Sequence, residues 1–394
     1  MRYRFDDCTL DTARRDLRRG GDPVAVEPQV FDLIEFLMRH RDRVVSRDDL
    51  IAGVWGGRIV SESTLASRIN AARTALGDDG TTQRLIRTVA RKGVRFVGAV
   101  EEDDAVPAAQ ARAEPAQTIT FCRTSDGVNL AMAAVGDGPP LVETANWLNH
   151  LDYDWQSPIW SPMLRRLAGR FRLIRYDGRG NGLADWNAAD ISLAAFSRDL
   201  ETVIATLDLP RFALLGLSQG AASAIAFSVA HPERVSRLIL YGGYAQGRNK
   251  RGSPDDEAIA QAVLAMMRQG WGRAESAFMR AFASLYLPSG SPEQIRWFAE
   301  MQKRATSGEM AARLRTACDD IDVTALLPRI RVPTLVLHGR DDHVVPIEQG
   351  RMMAARIPGS RFVTLDTENH VPLPDEPAWG TLLKEIEAFA APAD

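Results

Sequence analysis

The sequence predicts an α/β protein of two parts: a small N-terminal domain of three helices and a β-hairpin, then a larger domain with a doubly wound, mostly parallel sheet and a helical cap. Three observations carry this expectation. At 394 residues the chain exceeds what one ordinary core organises. Its hydrophobic patterning changes across residues 99–116, AVEEDDAVPAAQARAEPA, which show no apolar period and read as an extended, solvated linker. Beyond that linker, RFALLGLSQGAASAIAF at 211–227 joins an apolar strand to a small-residue helix through a Gly-x-Ser-x-Gly turn.

Composition narrows the class. A hydrophobic content of 45% and a charged content of 25% are those of a soluble globular protein. No run approaches the ~18 apolar residues of a membrane span, and MRYRFDDCTL lacks the apolar core of a secretory leader, so a cytoplasmic protein is expected. Cys8, Cys122 and Cys318 lie far apart with no CxxC pairing, which suits a reducing compartment and offers no thiolate metal site. With no HxxH-type cluster and no phosphate loop, neither a metal nor a cofactor is expected; GDDG at 77–80 reads as a helix exit. Residues 1–100 carry 18 basic and 14 acidic side chains, a balance of +4, against −7 for the remainder. A basic front on an acidic body hints at a polyanionic partner for the front alone.

In domain 1–98, YRFDDCTLD and RRDLRRGG read as short antiparallel strands. PQVFDLIEFLMRHRD sets Val30, Leu33, Ile34 and Leu37 at helical spacing behind Pro28. SRDDLIAGVWG is a second helix with Ser46 as N-cap and Asp49 in the capping-box position, stopped by Gly56-Gly57. SESTLASRINAARTALG is a third, ended by Gly77, with Leu65, Ile69 and Leu76 directed inward. RLIRTVARKGVRFVGAV then alternates like a hairpin with Gly93 at its turn.

Three helices and a hairpin are the plan of a winged helix, a module that reads double-stranded DNA. Ser63, Thr64, Ser67, Arg68, Asn70 and Arg73 occupy polar positions of the third helix; Arg and Asn carry donors suited to guanine and adenine edges, Ser and Thr to phosphates. Arg87, Arg91, Lys92 and Arg95 decorate the hairpin, placed for phosphates or a minor groove. Charge alone does not separate this from a merely solvated face. Residues 1–98 resemble the OmpR/CadC-type winged-helix effector domain through the leading strands, VVSRDDLIAGVWG, STLASRINAARTALGDDG and QRLIRTVARKGVRFVG, in that order. The resemblance implies a third helix in the major groove and binding as a homodimer on repeated half-sites. The receiver domain usual in that family is absent from the sequence.

In domain 117–392 the strands are TITFCRT, VNLAMAAVG, PPLVETA, RFRLIRYD, RFALLGLS, VSRLILYGG, PTLVLHG and RFVTLD. Helical stretches between most of the later strands argue a mostly parallel sheet covered on both faces. Residues 247–325 interrupt the rhythm with about three helices and no strand, as an inserted cap. Ser218 in the Gly-x-Ser-x-Gly turn is the candidate nucleophile; the glycines at 216 and 220 remove side chains that would clash at a strained strand-to-helix elbow. Asp342 and His370 each follow a later strand, in the order Ser, acid, His, where an α/β sheet places its sites. In that trio His370 takes the serine proton, and Asp342 fixes the imidazole tautomer and stabilises its charge.

This region resembles the α/β-hydrolase fold family. In G-x-x-D-x-x-V-P the resemblance aligns Gly339, Asp342, Val345 and Pro346, which favours Asp342 over Asp341, and His338 and His343 then flank the acid. YDGRGNGLAD matches the family's loop through Asp177, Arg179, Gly180 and Gly182, with Ala184 in place of the usual Ser, and reads as structural. The resemblance implies an oxyanion hole formed by the backbone N–H groups of Gln219 and Trp147, although Ala145-Asn146 stand where the family has His-Gly. His150 is either structural or substrate-orienting. Among the large cap residues Met266, Met267, Trp271, Phe278, Phe282, Tyr286, Trp297 and Phe298, packing accounts for most; Trp271, Phe278, Phe282 and Trp297, with Asn146 and His150, are the candidate pocket lining for an apolar ester- or lactone-like ligand.

Three functions remain open on the sequence: a one-component transcriptional regulator that senses and hydrolyses a small molecule, a regulator whose hydrolase-like domain only binds it, and a metabolic serine hydrolase with an accessory winged helix.

Overall fold

A computed structural model describes residues 2–12, 15–55, 60–90, 92–103, 117–252, 254–273 and 276–392. The chain divides into two units, Met1–Arg112 and Ala113–Asp394. In the first, β1 (Arg2–Phe5), β2 (Cys8–Asp11), β3 (Asp16–Arg19) and β4 (Asp22–Pro23) form an antiparallel meander, followed by α1 (Pro28–Arg39), α2 (Arg47–Trp55), α3 (Glu62–Ala75), β5 (Ile86–Val89) and β6 (Gly93–Phe96). The apolar period of α1 buries Val30, Leu33, Ile34 and Leu37 against Tyr3, Phe5, Leu65, Ile86 and Phe96. The α2 capping box closes reciprocally: Ser46 N–H donates to Asp49 Oδ2 at 2.9 Å and Asp49 N–H to Ser46 Oγ at 3.1 Å. The expected Gly56-Gly57 stop lies outside the described residues. Ser61 caps α3 by accepting from the Thr64 amide. The exit at GDDG is fixed by the buried Asp78 carboxylate, which accepts the amides of Arg84, Leu85 and Ile86 and so joins the end of α3 to β5.

Two details differ from the sequence reading. Gly93 does not sit at the hairpin tip but opens β6, paired with Val89; a Cβ there would lie 2.0 Å from the Val45 carbonyl oxygen, so its absence admits the bridge between Val45 and Val94. Residues read as the start of the linker instead form β7 (Glu101–Asp103), which pairs with β1 and sets Glu101 opposite Arg4, an opposite-charge cross-strand neighbour. Residues 104–116 lie outside the described residues.

The second unit contains β8 (Thr118–Arg123), β9 (Asn129–Val135), β10 (Pro140–Glu143), α4 (Leu151–Trp155), α5 (Ser161–Ala168), β11 (Arg172–Asp177), α6 (Leu193–Thr206), β12 (Phe212–Leu217), α7 (Gly220–Ala230) and β13 (Val235–Tyr241). Then come α8 (Pro254–Gly270), α9 (Ala277–Tyr286), α10 (Pro292–Ala305), α11 (Gly308–Asp319), β14 (Thr334–Gly339), α12 (Ile347–Arg356), β15 (Arg361–Leu365) and α13 (Pro377–Ala390). The sheet order is β15-β14-β13-β12-β10-β11-β9-β8, parallel from β10 to β15 with β8 and β9 antiparallel at one edge. Strands β12 and β14 are buried at every residue, as a sheet covered on both faces requires. One core lies under α6, α7 and α12, another under α5 and α13. The cap has four helices among the described residues, α8 to α11, where about three were expected, and a core of its own around Met267, Trp271, Phe282 and Phe298.

The chain passes from β10 to β11 on one side, then returns to place β12 on the other side of β10. Such a reversal leaves a crevice at the carboxyl ends of β10 and β12, where open α/β sheets bind their ligands. The walls of this crevice rest on buried charge. Arg179 is 1% exposed and binds Asp199 through Nη2 at 2.7 Å and Asp126 through Nη1 at 2.8 Å, which fits the structural reading of its loop. Arg175 of β11 serves two buried carboxylates, Asp154 at 2.8 Å and Glu143, the last residue of β10, at 3.6 Å.

One guanidinium does not neutralise two carboxylates, and burial pushes the more distant Glu143 up to about 7. Between the ordinary glutamate value and about 7, the folded chain therefore holds a proton that the unfolded chain releases. This contribution to stability falls as pH rises across that window. Urea unfolding of wild type and Glu143→Gln at a series of pH values is expected to show wild type losing ground to the variant from about pH 5 to 7 and a constant difference above it.

Candidate active site and nucleic-acid interface

The elbow after β12 holds Ser218 at φ +49°, a left-handed conformation costly for a residue with a side chain. Its neighbours permit nothing larger: a Cβ on Gly216 would lie 2.7 Å from Ala221 Cα, and one on Gly220 2.3 Å from Thr144 Oγ1. The turn is further pinned by the Ser218 amide, which donates to the Tyr241 carbonyl at 2.9 Å. It presents Oγ to His370, whose Nε2 stands 2.9 Å away; the other ring nitrogen, Nδ1, stands 2.7 Å from Asp342 Oδ2. The second Asp342 oxygen accepts the amides of Val344 and Val345 at 2.8 and 3.1 Å. Burial opposes ionisation of Asp342, but the His370 ring and those donors outweigh it and hold the carboxyl below its usual range. His338 is buried and bonded to the Val345 carbonyl, 3.8 Å from Asp342, so it supports the acid loop from behind.

The backbone N–H groups of Gln219 and Trp147 occupy the ends of neighbouring strand exits, and among the described residues neither donates to a protein acceptor. The segment after β10 does turn sharply, yet the left-handed residue is Leu148, at φ +47° and buried, rather than Asn146. Three small cavities meet here, each of about 20 Å³, close to the space of one water. Trp147 borders all three and Ser218 two of them. The Trp147 indole N–H is buried without an acceptor.

This geometry agrees with what the chain resembles. Residues 148–377 match the model of the alpha/beta hydrolase fold, well over half of the chain. The chain belongs to the α/β-hydrolase family. Residues 21–96 match the C-terminal domain of transcriptional regulatory proteins, so an OmpR-type winged helix is fused ahead of the hydrolase domain. The AB hydrolase superfamily protein YisY of Bacillus subtilis is 29% identical, over 64% of this chain and 91% of its own. The pimeloyl-[acyl-carrier protein] methyl ester esterase of Nitrosomonas europaea is 27% identical, over 62% of this chain and 93% of its own. A thermophilic esterase from Thermogutta terrifontis, solved with malate bound, superposes with a TM-score of 0.55 at 26% identity, over 71% of this chain and 100% of its own.

Within the hydrolase domain the pocket differs from the sequence expectation. Asn146 borders two of the cavities. His150 does not; its Nδ1 accepts the Tyr153 amide and caps α4. Trp271 and Phe282 face the cap's own core, with the Trp271 indole donating to the Thr306 carbonyl at 3.1 Å. Phe278 packs on Phe282, and Trp297 stacks on Tyr153 at 4.7 Å. The residues that border the cavity at Ser218 lie one position or one turn away: Phe298 beside Trp297, and Tyr286 four after Phe282, together with Leu148, Trp160 and Val371. Helical periodicity identifies an apolar stripe but not which edge of it meets the sheet. A further departure is charge: one cavity beside Ser218 is lined by Arg248, Arg251 and Arg315, which the expected apolar pocket did not include.

In the winged helix, Ser63, Ser67 and Asn70 are exposed on α3. Thr64 is half-buried, its hydroxyl 2.8 Å from Ser61 Oγ, and Arg68 pairs with Glu27. Arg73 is corrected from DNA contact to internal brace: it is 5% exposed, and its guanidinium donates to the Ile86 carbonyl and, at 2.8 Å, to Thr88 Oγ1, tying α3 to the wing. Arg87, Lys92 and Arg95 are exposed on the wing, Arg95 with one donor on the Arg41 carbonyl; Arg91 lies outside the described residues. A groove between α2, α3 and the wing is bordered by Asn70 and Lys92 and also by Arg47, which sequence reasoning passed over because it opens α2 as an ordinary helix-start residue.

Two outcomes follow. On an activated ester, Asp342→Asn is expected to lower kcat by about 10⁴ through the wrong imidazole tautomer, with the fold intact by circular dichroism. In DNA titrations, Arg87→Ala and Lys92→Ala are each expected to reduce the salt slope by about one without changing sequence preference, whereas Arg73→Ala will show first as a lower melting temperature of the winged helix.

Proposed function

We propose that the protein is a one-component transcriptional regulator: its winged helix binds double-stranded DNA, as a pair on repeated half-sites, and its hydrolase domain senses and slowly hydrolyses a small ester or lactone. The observation that carries this reading is a complete Ser218–His370–Asp342 relay beneath a closed cap. In the chemistry we assign, Ser218 Oγ attacks the carbonyl carbon as its proton passes to His370 Nε2, and the oxyanion forms against the amides of Gln219 and Trp147. Collapse expels the alkoxide, which takes the proton from His370; water then repeats the sequence and releases the acid. The esterases among the relatives support an ester as substrate class.

The closed cap supports sensing. Cavities of about 20 Å³ do not admit an ester, so a ligand has to part the cap from the sheet. The His370 amide donates to the Tyr286 carbonyl at the end of α9, and the Ser289 amide to Asn369 at 3.1 Å, so cap and catalytic loop move as neighbours. Free and occupied states then differ in structure, which a ligand needs in order to bias a second activity of the same chain. The same closure favours a second reading, in which the domain binds its ligand without turnover.

A fluorophosphonate probe separates these. Wild type is expected to gain one adduct at Ser218 and Ser218→Ala none, and labelling is expected to change affinity for promoter DNA by at least about fivefold in gel shifts. No labelling removes the hydrolytic part and leaves the receptor; equal DNA affinity with and without the adduct removes the coupling; and no DNA complex at any salt concentration leaves a metabolic hydrolase with an accessory domain.

A further inference from the structure

The cationic cavity beside Ser218 has a use that the relay does not consume. Among the described residues its lining brings Ser218 and Tyr286 together with Arg315, Arg248 and Arg251 and with the carboxylate of Asp319; Arg251 also donates through Nε to the Gln246 carbonyl at 3.2 Å. Arg315 lies on α11 with its side chain only 13% exposed, and its Nε donates to Asp319 Oδ2 at 2.9 Å. Among the described residues that is its one protein acceptor, and the terminal nitrogens at the other end of the guanidinium, which are not fully buried, border the cavity. A guanidinium presents five N–H donors in a fixed fork, so terminal nitrogens that border a cavity are set to receive a planar anion. Tyr286 adds a hydroxyl that burial pushes up to about 12, so it remains a donor at neutral pH. A second cavity that Ser218 also borders is lined by apolar side chains, among them Leu148, Trp160, Phe298 and Val371.

Resting on the hydrolytic reading and deepening it, we infer that this site takes an anionic acyl compound. The scissile ester or lactone carbonyl meets Ser218, the apolar part enters the side of Trp160 and Phe298, and a second, ionised carboxylate is held by Arg315 with Arg248 and Arg251. A carboxylate offers two coplanar oxygens that match the guanidinium fork. The covalent step is the one written above; the held carboxylate takes no part in it and fixes which carbonyl is presented.

The test compares 4-nitrophenyl butyrate with mono-4-nitrophenyl glutarate, which differ by the terminal carboxylate. In the wild type the ratio of kcat/KM, glutarate over butyrate, is expected to exceed about ten, as a charged hydrogen-bonded contact implies, and Arg315→Gln is expected to lower that ratio at least about tenfold, mainly through KM. Should Arg315→Gln fold poorly with Asp319 left unpaired, Arg315→Gln/Asp319→Asn and the separate Arg248→Gln and Arg251→Gln variants keep the ratio measurable. A wild-type ratio of one or less, or a ratio these variants leave unmoved, overturns the anionic assignment while Ser218 labelling still stands. If neither ester turns over and no phosphonate adduct forms, the hydrolytic reading fails by itself. Calorimetry with monomethyl glutarate then decides the assignment: binding weakened about tenfold by Arg315→Gln supports it, and equal binding overturns it. Inorganic phosphate displacing monomethyl glutarate at lower concentration than free glutarate does would overturn the choice of a carboxylate.

Discussion

Ser218 is held in a left-handed backbone conformation that its surroundings enforce, and much of the hydrolase domain is arranged to make that conformation the cheapest one available. The strand before it is buried at all six residues, so β12 ends where the sheet ends. The helix after it begins within one residue, at Gly220, and closes on Thr144 from β10's exit. Because β10 and β12 are neighbours only through the reversal of strand order, the elbow and the Trp147 turn lie side by side. Relax the elbow and three things are lost together: the aim of Oγ at His370, the position of the Gln219 amide beside Ser218, and the packing of α7 on the sheet. Leu148, also left-handed, plays the matching part across the crevice.

The histidine loop joins this rigid floor to the cap. Tyr241 on β13 donates its hydroxyl to the His370 carbonyl at 2.7 Å, while the His370 amide is taken by Tyr286 of the cap. The imidazole is thus fixed from the sheet by Asp342 and Tyr241 and from above by α9. The cap is in turn fastened to the Asp177–Asp185 loop, where Thr306 Oγ1 donates to the Gly180 carbonyl and the Gly182 amide to the Ala305 carbonyl, both at 2.7 Å. A ligand that lifts the cap therefore works against a few hydrogen bonds and an apolar seam, and part of that work is felt at the base of the relay. Under the proposed function, such an arrangement would exchange catalytic speed for a conformational difference between empty and filled states.

The sequence carried the architecture because its cues are local. Eight apolar runs with turn residues between them are strands wherever they pair, and the glycines around Ser218 state a backbone requirement that no other residue meets. Ser218, Asp342 and His370 were legible as candidates because each follows a strand of the parallel sheet, so topology alone delivers them to one edge. What was not legible depends on helix rotation and on partners distant in sequence. Phe282 and Tyr286 share a helix face to within a turn and both belong to the cap core, yet only Tyr286 also borders the cavity at Ser218. Arg73 looks like its exposed neighbours on α3 until the wing's Ile86 carbonyl is known to lie over it. Arg315, within AARLRTACDD, reads as one more charge on a solvated helix face; only the fold reveals that the helix lies over the serine.

The distribution of charge constrains how such a site chooses its ligand. Residues 101–394 carry a net −7, so an anion approaching the domain gains no attraction from its distant field, and beyond about 8 Å salt screens what field there is. The positive charge is instead concentrated in a recess where Arg315 is largely buried, a setting in which screening is weak and direction matters. For the proposed anionic acyl ligand, recognition would be a short-range test of geometry: a carboxylate must reach the guanidinium fork while a carbonyl on the same molecule reaches Ser218. Simple anions meet only the first condition, and neutral esters only the second. Under the proposed regulatory role, a cap that parts for molecules meeting both conditions would distinguish one chemical signal from simple acids and simple esters, the discrimination that ligand control of DNA binding requires.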